Sequence, residues 1–231
     1  MAQTSYPLSP NPVCVIGSEF VAPYPFELIV VTNSSGDHLI TDVNHKIIFK
    51  VKPCNTSYHE QRMLLDADHK PIVLIREKMM SVHSGWRAYK GDGKEDSEMI
   101  FSTRTPKVMQ WKTNIHVFLG NKTSSSKKNA CDFKITGSWS KRSCGIYMGD
   151  HSQTIIAQMH KIENTENIRF IKDKFTVKIS PYVDYAFVIT LIAILEAMKS
   201  SSADEDDADE DIGDVVQSVG VVTQVIGTIF S

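Results

Sequence analysis

From Phe26 to Ile179 the chain alternates between short runs of β-branched or aromatic residues and clusters of Gly, Asp, Asn and Ser. This pattern is typical of short strands joined by tight turns. In the run 46–52, Ile47, Phe49 and Val51 share one face of an extended chain. We therefore predict a mainly β body with these candidate strands: 26–32, 38–42, 46–52, 61–65, 72–77, 86–90, 99–103, 113–119, 131–137, 144–148, 154–160, 168–171 and 174–179.

One later segment departs from the strand pattern. Between Asp184 and Glu196 only Tyr185 and Thr190 carry polar side-chain atoms, so a helix over 182–198 is apolar on every face. Such a helix has to be surrounded on all sides. A membrane anchor is the alternative, but the uncharged run has only 11 residues and a span needs about 20. We expect a closed β-barrel around this helix, because closure removes sheet edges and a helix fills a wide lumen.

Two similar stretches beginning at Asp42 and Asp66 indicate tight hairpins, because Asp and Asn tolerate left-handed backbone and cap their own turns. The alternative is a calcium loop, since Asp66, Asp68 and Glu77 occupy positions 1, 3 and 12 of an EF-hand pattern. That loop requires Gly at position 6, where this chain has Pro71. The hairpin interpretation is therefore favoured.

Length and composition fit one large domain or two small ones, since 231 residues with 42% hydrophobic and 23% charged side chains are ordinary for a globular protein. Charge, however, is uneven. All 25 basic residues lie at or before Lys199 with 19 of the 27 acids, so this body carries +6, and eight acids follow within 200–214. A modestly basic body favours phosphate-rich surfaces. Four cysteines are too few for a disulfide scaffold, which indicates reduced thiols.

The two ends differ from the body. Five of the nine prolines fall in the first 25 residues, so 1–19 is predicted to be a flexible, Pro-rich lead-in to a domain over 20–199. This lead-in lacks the features of a secretory signal, which favours a cytoplasmic protein, peripheral at a membrane or nuclear. Residues 200–231 form an acidic tract and an apolar tail. Two interpretations of the tail stay open: it is disordered, or it folds on a partner, on another copy or on its own barrel.

Several stretches spread over 20–199 share the pattern of a known family: Ala22-Pro23-Tyr24-Pro25, Ile40-Thr41-Asp42-Val43-Asn44, Leu74-Ile75-Arg76-Glu77-Lys78-Met79, Cys131-Asp132-Phe133, Gly137-Ser138-Trp139, Arg142-Ser143-Cys144, Ile156-Ala157-Gln158-Met159-His160 and Tyr182-Val183-Asp184-Tyr185-Ala186-Phe187. Together they resemble the plant LURP-one-related family, within the Tubby C-terminal-like group and related to phospholipid scramblases. The resemblance implies a barrel of about twelve strands around a C-terminal hydrophobic helix. It also implies a role in plant defence. Tubby-type relatives bind phosphoinositides and are discussed as membrane-tethered transcription regulators, but their binding residues do not align to positions here.

The chain contains no recognisable enzyme motif, such as a nucleophile elbow, a phosphate-binding loop or a His-Glu-x-x-His pair. We therefore predict no catalytic residue, no cofactor and no metal site. Cys14, Cys54, Cys131 and Cys144 include no Cys-x-x-Cys pair, so their spacing does not support a zinc site. Cys131 and Cys144 are interpreted as buried thiols in strands.

Basic residues supply the candidate binding site. Lys172, Lys174 and Lys178 share one face of a predicted strand, and Lys50 with Lys52 forms a smaller row. Anionic phospholipid head groups are the partner that such rows favour. Two alternatives to lipid binding stay open: the lysines belong to a solvated barrel wall, or they bind a protein partner.

Two functional hypotheses follow. The first is a non-enzymatic binding protein that uses these rows, to which Lys141 and Arg142 add cations near a loop. The second is a membrane-active, scramblase-like protein anchored by the helix over 182–198. Direct binding of nucleic acid is not expected, because no nucleic-acid-binding motif surrounds the tryptophans.

Overall fold

A buried helix lies at the centre of the structure. The computed structural model describes residues 12–56, 60–78, 85–93, 99–105, 113–120, 130–150, 153–162 and 171–203. In it, α1 spans Tyr185–Ala203, and every side chain from Ala186 to Ala197 is buried. Thr190, the polar residue inside this stretch, donates its hydroxyl to the main-chain oxygen of Ala186 (2.8 Å). The predicted core helix is confirmed, although it begins three residues later than expected.

Antiparallel strands surround α1. Within the described residues they are β1 (Phe26–Asn33), β2 (His38–Asp42), β3 (Ile47–Pro53), β4 (Gln61–Asp66), β5 (Pro71–Glu77), β6 (Trp86–Lys90), β7 (Met99–Arg104), β8 (Thr113–Leu119), β9 (Phe133–Ser138), β10 (Ser143–Met148), β11 (Ile155–Lys161) and β12 (Ile171–Ile179). Each strand pairs with its neighbours in chain order, and β1 pairs with β12, so the sheet closes into a barrel. The predicted fold class is therefore confirmed.

The last strand corrects one sequence-based boundary. A break between the candidate strands 168–171 and 174–179 was expected at Lys172 and Asp173, but β12 is continuous from Ile171 to Ile179. The acidic side chain does not interrupt the strand because it has a buried ionic partner, Arg142. Residues 168–170 of the candidate run lie outside the described residues.

Strand alternation builds the core between the barrel wall and α1. Leu28 of β1 is paired in register with Val177 of β12, and both are fully buried. From the helix, the Phe187 ring lies 5.3 Å from that of Phe101 and 4.9 Å from that of Phe133. Each such buried side chain contributes about 1.5–3 kcal/mol. The lumen is thus packed with side chains from both layers.

Asp184 joins the start of α1 to the N-terminal segment. Its Oδ1 accepts a hydrogen bond from the main-chain N–H of Phe187 (2.9 Å), which is a helix N-cap. Its Oδ2 accepts from the N–H groups of Val15, Ile16 and Gly17 at 2.7–3.2 Å. The carboxylate is fully buried, and these four donors satisfy it.

The same contacts bear on the predicted lead-in over 1–19. Val13 donates its N–H to the Tyr182 oxygen (2.8 Å), and its own oxygen accepts from the N–H of Asp184 (2.8 Å). Residues 1–11 lie outside the described part of the chain. From Pro12 onward, however, the segment is hydrogen-bonded rather than unpaired, because the buried Asp184 carboxylate requires donors.

The two Asp-led turns are hairpins, as predicted. Asp42 Oδ1 accepts from two N–H groups of the β2–β3 turn, and Asp66 Oδ1 does the same in the β4–β5 turn (2.8–2.9 Å). The left-handed residues are His45 (φ 64°) and His69 (φ 66°), rather than an Asp or Asn. Asp66 thus serves the turn, and Glu77 lies at the opposite end of β5, which removes the basis for the calcium alternative.

Contacts divide the chain into two units, Met1–Ala197 and Met198–Ser231. The first contains the barrel and the buried part of α1. Of the second, the structure describes only the end of α1. Among the described residues, no helix is long and apolar enough to cross a membrane.

The enclosure of α1 generates the first prediction. Ile192 is 2% exposed, so Ile192→Asp would bury a carboxylate without a partner, which costs several kcal/mol. We expect the variant to lack the cooperative thermal transition of the wild type, measured by circular dichroism. Ile192→Val, which keeps the position apolar, is the matched control and should melt cooperatively. A soluble Ile192→Asp protein with a wild-type transition would show that α1 is not enclosed.

Candidate functional site

The predicted lysine row lies on the outer wall of the barrel. In β12, Phe175, Val177 and Ile179 face inward and are buried, whereas Lys172 and Lys178 are exposed. Lys174, on the same outward face, is half-buried. Within the described residues, none of the three ammonium groups forms a hydrogen bond or an ion pair. The structure therefore brings the three lysines together as an open row.

In the described part of the chain, acidic side chains are sparse on the strands beside this row. The outward positions of the neighbouring strands carry one acid, Glu27 of β1, which lies opposite Lys178 in register. On the other side, β11 contributes Gln158 opposite Lys178 and His160 opposite Thr176. We call the outward faces of β11, β12 and β1 the basic wall. It carries a net positive charge.

The smaller predicted row does not extend the basic wall. Lys50 and Lys52 lie on the outward face of β3, which is separated from β12 by β1 and β2. Three inter-strand spacings amount to about 14 Å. Lys50 is only 8% exposed, and its Nζ lies 2.8 Å from Nε2 of His69. Lys52 is half-buried. The structure thus separates this pair from the row on β12.

A buried ionic cluster, which sequence reasoning missed, lies at the last buried turn of α1. Arg142 was expected near a loop with Lys141, but it is 4% exposed. Its Nε–H group donates a hydrogen bond to Asp173 Oδ2 (2.7 Å), and its Nη2 forms a second, shorter contact with the same carboxylate. Its Nη1 lies 2.7 Å from Glu196 Oε1 in α1. Arg142 therefore links the barrel wall to the helix.

Aromatic rings hold the same guanidinium from two sides. The Arg142 carbon Cζ lies 4.1 Å from the ring centroid of Trp139 and 4.6 Å from that of Phe175. The turn that brings Arg142 inward has a left-handed residue at Arg142 itself (φ 52°) and follows Gly137 (φ 138°), where a side chain would collide with the main-chain oxygen of Ser143. These turn conformations are what sequence spacing could not reveal.

A second buried arginine lies in the same part of the barrel. Arg62 pairs with Glu60 (Nη2–Oε1 3.3 Å), and its Nη1 donates to Nε2 of His38 (3.3 Å). His38 Nδ1 therefore carries the proton and donates to Thr32 Oγ1 (3.0 Å). Burial, with Arg62 and Arg142 nearby, lowers the pKa of His38 to about 3. This histidine is neutral at physiological pH and belongs to the structural framework.

A third cluster combines a thiol, a carboxylate and an imidazole. Cys131 Sγ donates to Asp150 Oδ1 (2.7 Å), and one ring nitrogen of His116 lies within 4.8 Å of both ligand atoms. Burial and the hydrogen bond to Asp150 raise the pKa of Cys131 to about 12. Cys131 and Cys144 are buried, as predicted. The neighbours of Cys131 were not predicted, because His116 and Asp150 are distant from it in sequence.

These features define a class of protein: a closed antiparallel barrel whose lumen is filled by its own helix and whose accessible charge lies outside. A family model of LURP-one-related proteins matches residues 28–196. The Arabidopsis thaliana protein LURP-one-related 15 is 37% identical over 186 residues, covering 79% of this chain and 84% of that protein. LURP1 from the same plant is 35% identical over 189 residues, covering 80% and 89%.

Solved structures agree with this match. An X-ray structure of an Arabidopsis thaliana protein superposes with a TM-score of 0.63 at 33% identity, covering 80% of this chain and 98% of that chain. The chain belongs to the LURP-one-related family. The family resemblance predicted from the sequence is thereby confirmed.

The Arg142 cluster generates a prediction about stability. Arg142→Lys keeps one positive charge but loses the fork that binds Asp173 and Glu196 and the planar group between two rings. We expect a loss of about 2–3 kcal/mol in the free energy of unfolding, measured by urea denaturation. The matched control is Arg104→Lys, an exposed arginine over the Phe118 ring, which should change it by less than about 1 kcal/mol. Equal losses of unfolding free energy in the two variants would contradict a stabilising role for the contacts of Arg142.

The buried neutral His38 generates a prediction about pH. Its pKa is about 3 in the folded protein and about 6.5 in an unfolded chain. Between these values the unfolded state binds more protons, so stability falls as the pH is lowered, by up to about 1.4 kcal/mol per pH unit. We expect His38→Gln to show a shallower decline in urea denaturation over this range. The control is His160→Gln on the outer wall. If unfolding free energy changes with pH equally in both variants, the low pKa assigned to His38 is wrong.

Proposed function

We propose that this protein is a non-enzymatic binding module that docks on anionic phospholipid head groups through the basic wall. The observation that carries the proposal is the outward alignment of Lys172, Lys174 and Lys178 on β12, with no ionic partner among the described residues. The filled lumen also supports the proposal. Helix side chains occupy it, so a partner has to bind at the outer surface of the barrel.

The position of Asp173 strengthens the proposal. In sequence this acid sits between Lys172 and Lys174 and would weaken their field. In the barrel it faces inward and pairs with Arg142. Alternation along the strand thus removes a negative charge from the outer face and leaves the lysines exposed to solvent. The basic wall is more positive than the sequence of this segment suggests.

The shape of the row favours a charged surface over a single phosphate pocket. Residues two apart on a strand are separated by about 6.6 Å, so the row from Lys172 to Lys178 extends over about 20 Å. Each lysine near an anionic membrane contributes about 1 kcal/mol. The proposed interaction is therefore weak, additive and sensitive to salt. The resemblance to the plant family extends the proposal to a role in defence.

The test compares two triple variants of the full chain. Lys172→Ala, Lys174→Ala and Lys178→Ala together should weaken binding to vesicles containing phosphoinositide by about 3 kcal/mol at low salt, or about 150-fold. Vesicle flotation measures the bound fraction. The difference should shrink at higher salt, because exposed charges are screened beyond about 10 Å at 0.1 M. Folding should be unaffected, since Phe175 and Val177 keep their inward contacts.

The matched control removes the same charge elsewhere. Lys46, Lys70 and Lys90 are exposed lysines outside the basic wall, in the β2–β3 turn, in the β4–β5 turn and at the end of β6, and their exchange for Ala gives the same net charge. This control should bind vesicles much as the wild type does. Because eight acids follow within 200–214, both triple variants are also compared in a chain that ends at Ala203. Equal binding by the two triple variants, or equal recovery with neutral vesicles, would remove the lipid proposal and favour a protein partner.

A further inference from the structure

Three adjacent strands bring three different metal-binding groups together. His116 lies on the outward face of β8, Cys131 lies two residues before β9, and Asp150 lies two residues after β10. One ligand atom from each residue lies within 4.8 Å of the other two. Cys131 is buried, whereas His116 and Asp150 are half-buried, so the cluster is reachable from the outer side.

We propose that His116, Cys131 and Asp150 form a binding site for one divalent transition-metal ion of the zinc class. An imidazole nitrogen, a thiolate sulfur and a carboxylate oxygen are the ligands that zinc prefers in proteins. Hard ions such as magnesium and calcium are disfavoured, because they require oxygen ligands throughout. Three protein ligands leave a fourth coordination position for water or for a group supplied by a partner.

The distance between the thiol and the carboxylate suits a tetrahedral ion after a small adjustment. With zinc–ligand bonds of about 2.0–2.3 Å, tetrahedral ligand atoms lie about 3.3–3.5 Å apart. The Cys131 sulfur and Asp150 Oδ1 are now 2.7 Å apart and would separate by less than ~1 Å. The thiol proton that lies between them leaves to solvent, and the metal ion takes its place on the sulfur and the oxygen. The thiol is neither oxidised nor reduced in this exchange.

Main-chain hydrogen bonds hold the ligand segments in position. The N–H of Cys131 donates to Asp150 Oδ2 (3.1 Å), and the N–H of Gly149 donates to the oxygen of Asp132 (2.6 Å). The N–H of Asp132 in turn donates to the oxygen of Val117, next to His116 (2.9 Å). The three ligands are therefore tied to one another through their backbones, which reduces the reorganisation that binding requires.

Two cations flank the cluster, so the net charge of the loaded site matters. Lys134 and Arg104 lie opposite His116 in the neighbouring strands, and Lys134 Nζ donates to the main-chain oxygen of Asp150 (2.8 Å). The thiolate of Cys131 and the carboxylate of Asp150 together neutralise a dication. The loaded site is consequently neutral, whereas the empty site, with a neutral thiol and one carboxylate, carries −1. Loading therefore raises the charge of the site by one unit and leaves no net positive charge beside the flanking cations.

Cobalt(II) is the probe for the test, because a thiolate ligand gives it a charge-transfer absorption band that other ligands do not produce. The full chain is treated with a chelator, the chelator is removed, and cobalt is titrated in, followed by displacement with zinc. We expect one cobalt per chain with a thiolate band that zinc abolishes. Cys131→Ser should lose the band. His116→Gln should lower affinity by more than the roughly 10–100-fold that loss of an outer partner costs.

Matched controls separate the site from adventitious binding. Cys54→Ser removes a half-buried cysteine outside the cluster, and His160→Gln removes an outer-wall histidine. Both should retain the wild-type band and affinity. If Cys131→Ser fails to fold, by circular dichroism, His116→Gln on the outer wall decides the question. Absence of a band in the wild type, a band that persists in Cys131→Ser, or unchanged affinity in His116→Gln would each overturn the site.

Discussion

A helix that is apolar on every face has to be enclosed, and the backbone groups at its ends have to be satisfied where water is excluded. The barrel meets the first requirement, and Asp184 meets the second at the start of the helix. In the described residues, twelve antiparallel strands close around α1, and Asp184 caps its first turn while holding the N–H groups of residues 15–17. Further along α1, Arg142 pairs with Glu196 in the last buried turn. Because Arg142 also binds Asp173 of β12, this pair ties the helix to the barrel wall.

The occupied lumen has a direct consequence for function. Many barrels bind a ligand inside, but here Phe187 and its neighbours on α1 fill that space. Contact with a partner therefore falls to the outer wall and the rims. On β12, strand alternation sorts the charges: Asp173 faces Arg142 inside, and Lys172 and Lys174 face outward. The alternation of side chains along β12 thus determines both the packing of the core and the positive charge of the outer wall.

The polar clusters differ in exposure and in the side chains that form them. Arg142 is held by two carboxylates and two aromatic rings, and Arg62 by Glu60 and His38. The two arginines are 4% and 5% exposed, so they brace the barrel from inside. The Cys131 cluster is different, because His116 and Asp150 are half-buried beside the thiol and the three side chains are of the types that bind zinc. This difference is why we attribute the arginines to the framework and propose the cluster as a metal site.

The sequence by itself determined the strands, the hairpins, the core helix and the family, because each leaves a local signal: alternation in β1–β12, Asp-led turns, and an apolar run with few polar atoms. It also placed Lys172, Lys174 and Lys178 on one face. Only the tertiary structure decided that Lys50 is tied to His69, that Arg142 is buried against Glu196, and that His116 lies beside Cys131 and Asp150. These are contacts between residues far apart in the chain, which depend on register and closure, and neither has a signature in local sequence.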